Sequence, residues 1–370
     1  MKRRSVLQGL AATGLAGLAG CTTSLSASED TTESGREVVD GAGRSVTVPE
    51  SVQRIVAIGP GALRQVAYFE ATDRVVGVER GEHTSFRNLP YNLANPGLQE
   101  LPVVGNSGPD AAGDAESILA VDPDLVVLSA IGGHDAADRI ASQVGVPVVV
   151  LSMPFPTDQP GREAYFEMWR RLGRVLGREA RAEGLVETVE TEIATIRDRA
   201  PAEPTASAYV GGTSYKGAQG LTTTRVPYPP FELAAVQNVA ASAATGGVSV
   251  DVSPERLLDW DPEMLFVGAQ NLELVRERLA RRPELRSLAA VAANRTVALL
   301  PVSHYHENIG SMLVNAHLVG RTAYPEAFGD VSLDRVADQI YESLLGTSPY
   351  QTIRDHYEAA EPVDLGGGGA

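Results

Sequence analysis

The sequence predicts an α/β protein of two doubly wound lobes joined by a single long helix, with a ligand cleft between the lobes. Three observations predict it. In the first half, short apolar runs alternate with helical segments, the pattern of a mostly parallel sheet with helices on both faces. A helical tract without strand signals then occupies the middle of the chain. After it, the alternation restarts. At 370 residues, the chain can bury a large core and divide it between two lobes.

The first lobe is expected over 36–177. Residues 37–48 read as a hairpin whose turn uses Gly41 and Gly43. Strands follow at 54–58, 75–78, 125–128 and 148–151, with a short one at Val103-Val104. Helices are expected at 62–70, 115–120 and 136–144. Tyr165, Trp169, Leu172 and Leu176 recur at helical spacing, so a further helix has one apolar face, and Gly177 caps it.

The connecting helix is expected over 178–200. Leu185, Val189, Ile193 and Ile196 form its stripe, and Pro201 and Pro204 stop it. At 1.5 Å per residue it spans about 30 Å, the width of a lobe. The second lobe, 205–357, has strands at 206–210, 265–267 and 296–300 and helices at 231–239, 254–259 and 272–281. Two helices, 309–319 and 333–345, close it, and 358–370 is expected to be a loose tail. Paired α/β lobes bind ligands in the crevice at the carboxyl ends of their strands.

Composition sets the compartment. Cys21 is the only cysteine, and it closes the run Leu18-Ala19-Gly20-Cys21. Before it stand Lys2-Arg3-Arg4 and a weakly apolar stretch too short to span a bilayer, which needs about 20 residues. This is the layout of a secretory signal, residues 1–20, with a twin arginine and a lipidation site at Cys21. The polar, acidic residues 21–35 then form a disordered tether. The net charge is −16, and removal of the signal takes away three more cations. Such a surface argues against nucleic acid and suits solubility in high salt. Lys2 and Lys216 are the only lysines.

One element occurs twice. Asp114-Ala115-Glu116-Ser117 opens a short helix that ends at Asp122-Pro123 before an apolar strand. Ser253-Pro254-Glu255-Arg256 opens another, ending at Asp261-Pro262. Locally, Glu116 and Glu255 complement helix N-termini. Local chemistry does not explain why the unit sits once in each lobe.

These units, the lipidation run, Arg54-Ile55-Val56-Ala57-Ile58-Gly59-Pro60 with Arg74-Val75-Val76-Gly77-Val78, and Tyr209-Val210-Gly211-Gly212-Thr213-Ser214-Tyr215-Lys216 carry a family likeness. The chain resembles the substrate-binding lipoproteins of ABC importers for iron chelates, haem and cobalamin, the FhuD/BtuF type. The resemblance implies a rigid connecting helix and an iron(III) chelate, haem or corrinoid as ligand, with no intrinsic cofactor. It also implies a permease dimer, with its cytoplasmic ATPase, that docks onto Glu116 and Glu255.

Three sets of residues are expected to face the cleft. Gly59-Pro60-Gly61 allows close backbone approach and leads to Arg64, so Pro60, Gly61 and Arg64 form the first. Tyr215, Lys216, Arg225 and Tyr228 form the second, a cation beside phenols that suits a carboxylate-rich or catecholate chelate. His304, Tyr305 and His306 form the third. In extended chain the two histidines project to one side, and His83 and His134 could complete a metal site with them. A receptor for a bare metal ion is therefore one alternative, and a surface-anchored, chelate-processing metalloenzyme is another. Other enzyme readings fail: there is no Gly-x-Ser-x-Gly, no dinucleotide fingerprint and no Walker loop.

Overall fold

The computed structural model describes residues 35–109, 113–129, 135–156, 158–213, 217–243 and 249–365. Cys21, the signal and tether, His134, Tyr215 and Lys216 lie outside them. Among the described residues, no helix is long and apolar enough to cross a membrane.

The chain opens with an antiparallel hairpin, β1 (Gly35–Val39) and β2 (Ser45–Pro49). The first lobe then builds a four-stranded parallel sheet from β3 (Ile55–Ile58), β4 (Val75–Gly77), β5 (Leu125–Ser129) and β6 (Val148–Leu151), in the order β4-β3-β5-β6. Strand alternation divides its side chains between two layers. Val56, Ile58, Val126, Leu128, Val148 and Val150 pack with residues of the helices Ala115–Ala120 and Asp135–Val144. Ile55, Ala57, Leu125, Val127, Val149 and Leu151 join the main core with residues of Ala62–Tyr68 and Gln159–Leu176. Both faces are covered, which is why these strands read as continuous apolar runs.

The second lobe repeats the plan. Its strands are β7 (Ala206–Gly211), β8 (Thr223–Thr224), β9 (Val236–Asn238), β10 (Val250–Asp251), β11 (Leu265–Gly268) and β12 (Thr296–Leu299). Four of them form a parallel sheet in the order β12-β11-β7-β9, and β8 pairs with β10. Read in chain order, each four-stranded sheet runs second-first-third-fourth. The reversal point therefore falls between first and third strands in both lobes, at β3/β5 and β7/β11.

The connecting helix spans Glu179–Arg199 and buries Leu185, Val189, Ile193 and Ile196. It does not tie the lobes alone. Arg181 donates to the Tyr68 carbonyl in one lobe (2.8 Å) and the Leu344 carbonyl in the other (3.0 Å). The helix Tyr350–Tyr357, at the end of the second lobe, packs on Pro90–Ala94 of the first, and His356 Nε2 lies 2.9 Å from Asn88 Nδ2. One apolar core runs from Ile55 through the connecting helix to Leu345 without interruption.

Two expectations change. The helix expected at 231–239 is a short helix, Pro229–Leu233, followed by a turn with Ala235 at φ 51° and then β9. Pairing of Val236 with Ala206 at the sheet edge outweighs local helical preference. The tail expected to be loose from 358 is ordered through 365. Ala298 N donates to Glu361 O (2.9 Å), Ala360 N to Ala298 O (2.8 Å) and Val363 N to Thr296 O (3.0 Å), while Val363 and Leu365 are buried. The tail covers the open edge of β12, which would otherwise present unpaired backbone groups.

Candidate functional site

The lobes meet at the carboxyl ends of their strands. In the first lobe, β3 ends in Gly59-Pro60-Gly61, and Gly59 has φ 90°. A Cβ at Gly59 would lie 2.2 Å from the Ser129 carbonyl oxygen at the end of β5, so only glycine passes there. Ser129 Oγ then donates to the Pro60 carbonyl (2.8 Å). The second lobe repeats this closure: a Cβ at Gly268 would lie 2.6 Å from the Gly212 carbonyl oxygen.

Residues 303–307 of the second lobe fold into a tight tip. Ser303 bridges Glu307 antiparallel, Asn308 N donates to Val302 O (2.7 Å), and Tyr305 and His306 take φ 50° and 75°. This tip crosses to the first lobe, where Arg64 receives it. Arg64 donates to the carbonyls of Glu307 (2.9 Å), His304 (2.8 Å) and Tyr305 (3.1 Å). It is 1% exposed and lies over the Tyr91 ring. Arg64 is thus committed to the tip and not free in the cleft. Gly61 lies beside the same tip, since a Cβ there would be 3.1 Å from His306 Cβ.

The turn at Tyr305 and His306 overturns the expectation that His304 and His306 project together. Left-handed backbone at the two central residues replaces extended chain, and the rings part. His304 packs edge-on to Phe86, while His306 stacks on Phe155 and donates through Nε2 to the Met153 carbonyl (3.1 Å). Tyr305 stacks on Phe86 at 4.0 Å, donates to Glu79 Oε2 (2.8 Å) and accepts from Gly108 N (3.2 Å). His83 Nε2 is buried without a partner. Among the described residues, no three His, Cys, Asp or Glu side chains gather as a metal site.

Arg225 and Tyr228 lie on the second-lobe side. With Thr213 and Ser303 they line a small cavity at the ends of β7, β11 and β12. Arg225 is 3% exposed and donates through one terminal nitrogen to Glu307 Oε1 (2.8 Å). Its Nε and its other terminal nitrogen have no partner, nor does Thr213 Oγ1. Two unsatisfied guanidinium nitrogens and a hydroxyl, all buried, belong to residues that line this cavity, and such donors pair with oxygen anions. Glu307 ties both arginines, Arg64 through its carbonyl and Arg225 through its carboxylate.

Glu79, Glu82 and Glu307 escape a reading of motifs. Each is an isolated acid that looks like a solvated surface residue, yet each is 1% exposed. Burial pushes the Glu79 carboxyl up to about 8, helped by the charge of Glu82 and opposed by the Tyr305 hydroxyl. Burial also raises Glu82, against hydrogen bonds from Tyr91 and Asn92 and the charge of Arg64. Burial, joined by the charge of Arg64, lowers His304 and His306 to about 4, against the opposing charge of Glu307 at His306. With Glu79 and both histidines neutral at pH 7, the two guanidinium groups and the Glu307 carboxylate paired with Arg225 shape the local field.

These shifts predict a stability profile. The unfolded chain ionises Glu79 near 4.5 and the folded one only near 8, so this contribution is lost as pH rises across that interval. The histidines act oppositely: their contribution is present above 6.5 and lost as pH falls toward 4. In urea melts from about pH 4 to pH 9, Glu79→Gln is expected to flatten the alkaline limb and His306→Gln the acid limb. An unaltered alkaline limb in Glu79→Gln would place its origin elsewhere.

Glu116 and Glu255 are exposed in the first turns of Ala115–Ala120 and Pro254–Trp260. Each helix directly precedes the third strand of its sheet. A profile described as periplasmic binding protein matches residues 55–302, most of this two-sheet region. The chain belongs to the periplasmic binding protein family. Its members bind solutes for transport and are not enzymes, and membership places this chain outside the cytoplasm. The molybdate-binding protein MolA of Haemophilus influenzae is 23% identical over 346 residues, spanning 85% of this chain and 92% of MolA. The structure of MolA bound to molybdate has a TM-score of 0.68 at 19% identity and covers 85% of this chain and 98% of MolA. A periplasmic solute-binding protein of Veillonella parvula has a TM-score of 0.67 at 18% identity, covering 86% and 95%. The haem-binding protein HmuT has a TM-score of 0.54 at 20% identity, covering 78% and 89%. At these identities the solved structures share the fold.

Proposed function

We propose that this protein is the solute receptor of an ABC importer, anchored by lipid at Cys21 to the outer face of the cytoplasmic membrane, and that it captures a metal-containing anion between its lobes. The observation that carries the anion is Arg225, a cavity-lining residue whose buried guanidinium has two unpartnered nitrogens. A small oxyanion suits a guanidinium with spare donors, and molybdate is the solute named for MolA. The second reading is an iron(III) chelate, haem or corrinoid. The aromatic groups Phe86, Tyr305, Phe155 and His306 along the lobe contact favour it, because ring faces suit large planar ligands.

Glu116 and Glu255 are the docking acids of this proposal. Docking would favour release by stabilising a lobe arrangement with lower solute affinity. Calorimetric titration with molybdate, a ferric catecholate chelate and haemin tests the ligand. Heat with molybdate supports the first reading and heat with a chelate alone the second. Zn²⁺ or Mn²⁺ binding that His306→Ala removes would instead point to a bare-metal receptor. The anchor has its own test: Cys21→Ser is expected to move the protein from membranes to the medium in cell fractionation, and retention at the membrane would refute lipidation.

A further inference from the structure

Arg64 and Arg225 belong to different lobes, yet both end on Glu307. From the first lobe, Arg64 grips the backbone of the tip at three carbonyls. From the second, Arg225 grips the Glu307 carboxylate at 2.8 Å. The other ties of the tip run through side chains, Tyr305 to Glu79 and His306 to Met153, or close the turn on itself from Ser303 to Glu307. Tyr305 and His306 occupy left-handed backbone, which side chains with a Cβ disfavour, so the tip needs external restraint. Planar guanidinium with several donors suits three carbonyls at once, where an ammonium on a flexible stem does not. The fully buried Arg64 also spends charge on neutral acceptors, a costly arrangement unless it positions something.

We propose that Arg64 is a positioning residue: its grip on the His304, Tyr305 and Glu307 carbonyls sets the Glu307 carboxylate, and through it holds the Arg225 guanidinium on the cavity wall for an oxygen anion of the solute. The anion part rests on the reading given above; the coupling between the arginines does not. Lifting of the tip from the first lobe would break the Arg64 grip, release Glu307 and loosen Arg225 in one motion. Solute release is thereby tied to lobe contact, without Arg64 touching solute.

The test uses the full chain with arginine side chains labelled by ¹⁵N, comparing wild type, Arg64→Lys and Glu307→Gln. Without solute, Arg64→Lys is expected to shift or broaden the Arg225 Nε–H resonance and to speed amide exchange at 303–308. Glu307→Gln is expected to perturb the same resonance while leaving exchange near wild type, because the backbone grip survives. An unchanged Arg225 signal in Arg64→Lys would overturn the proposal. With molybdate as probe, Arg64→Lys is expected to weaken binding about tenfold or more through faster dissociation. The effect should vanish when Arg225 is already Gln, and additive losses would overturn the coupling. If wild type binds no molybdate, the ligand reading fails, and the resonance and exchange data still decide the role of Arg64.

Discussion

Charge reversal at both proposed docking acids, Glu116→Arg with Glu255→Arg, is expected to abolish uptake while solute affinity stays within about twofold of wild type. The two helices hold equivalent places in the two lobes. Each is capped independently of its acid: the Asp114 carboxylate accepts from Ser117 N (2.8 Å) and the Ser253 hydroxyl from Arg256 N (3.2 Å). Each helix precedes a parallel strand and runs against it, so its N-terminus lies at the end of the sheet where the lobes meet. One negative charge therefore stands on either side of the crevice. The Glu255 carboxyl is held below its usual range by its own backbone N–H and by Ser253, so it is charged at any working pH. Neither acid is buried, and surface changes of this kind alter stability by about 0.5 kcal/mol or less. Transport assays beside calorimetry check the outcome. A parallel loss of affinity would mean that these residues serve the cleft and not docking.

The second large effect concerns stability. Glu307→Ala is expected to destabilise the protein by about 3–5 kcal/mol, because it leaves the buried Arg225 without its counter-charge. Glu307→Gln should cost less, since its amide oxygen still accepts from Arg225. The informative comparison is Glu307→Leu with Arg225→Met. Replacing both charges by apolar groups removes the desolvation penalty and should restore most of the stability, yet solute binding should remain lost. Urea melts and titrations of the same four proteins measure both. A double variant as unstable as Glu307→Ala would show that packing and not charge pairing sets the cost.

The sheets were legible because their strands are buried on both faces, so Ile55–Ile58 or Leu265–Gly268 stands out as an unbroken apolar run. The segment after Phe231 was not, because Val236–Asn238 becomes a strand only by finding an edge 30 residues upstream. The tail escaped for the same reason: its short mix of acids and small apolar residues shows no strand pattern, yet its backbone completes β12. At the site, the glycine turn and the basic residues could be marked from sequence, but their partners could not. Arg64 reaches residues 240 to 243 positions away. The tip at 303–307 has ordinary composition for a helix approach. Its left-handed turn, which sends two histidines apart, depends on a grip from the other lobe.

The helix Tyr350–Tyr357 rests on the opposite lobe, and one continuous apolar core spans both lobes. A clamshell that gaped widely would have to wet that core. Exposing even 200 Å² of apolar surface costs about 5 kcal/mol, more than a modest ligand preference supplies. Solute exchange in this receptor is therefore expected to be a local affair, with one small tip lifting from its seat while the two halves stay married. A chain cut short after Leu345 should lose cohesion as a whole, not merely its last helix.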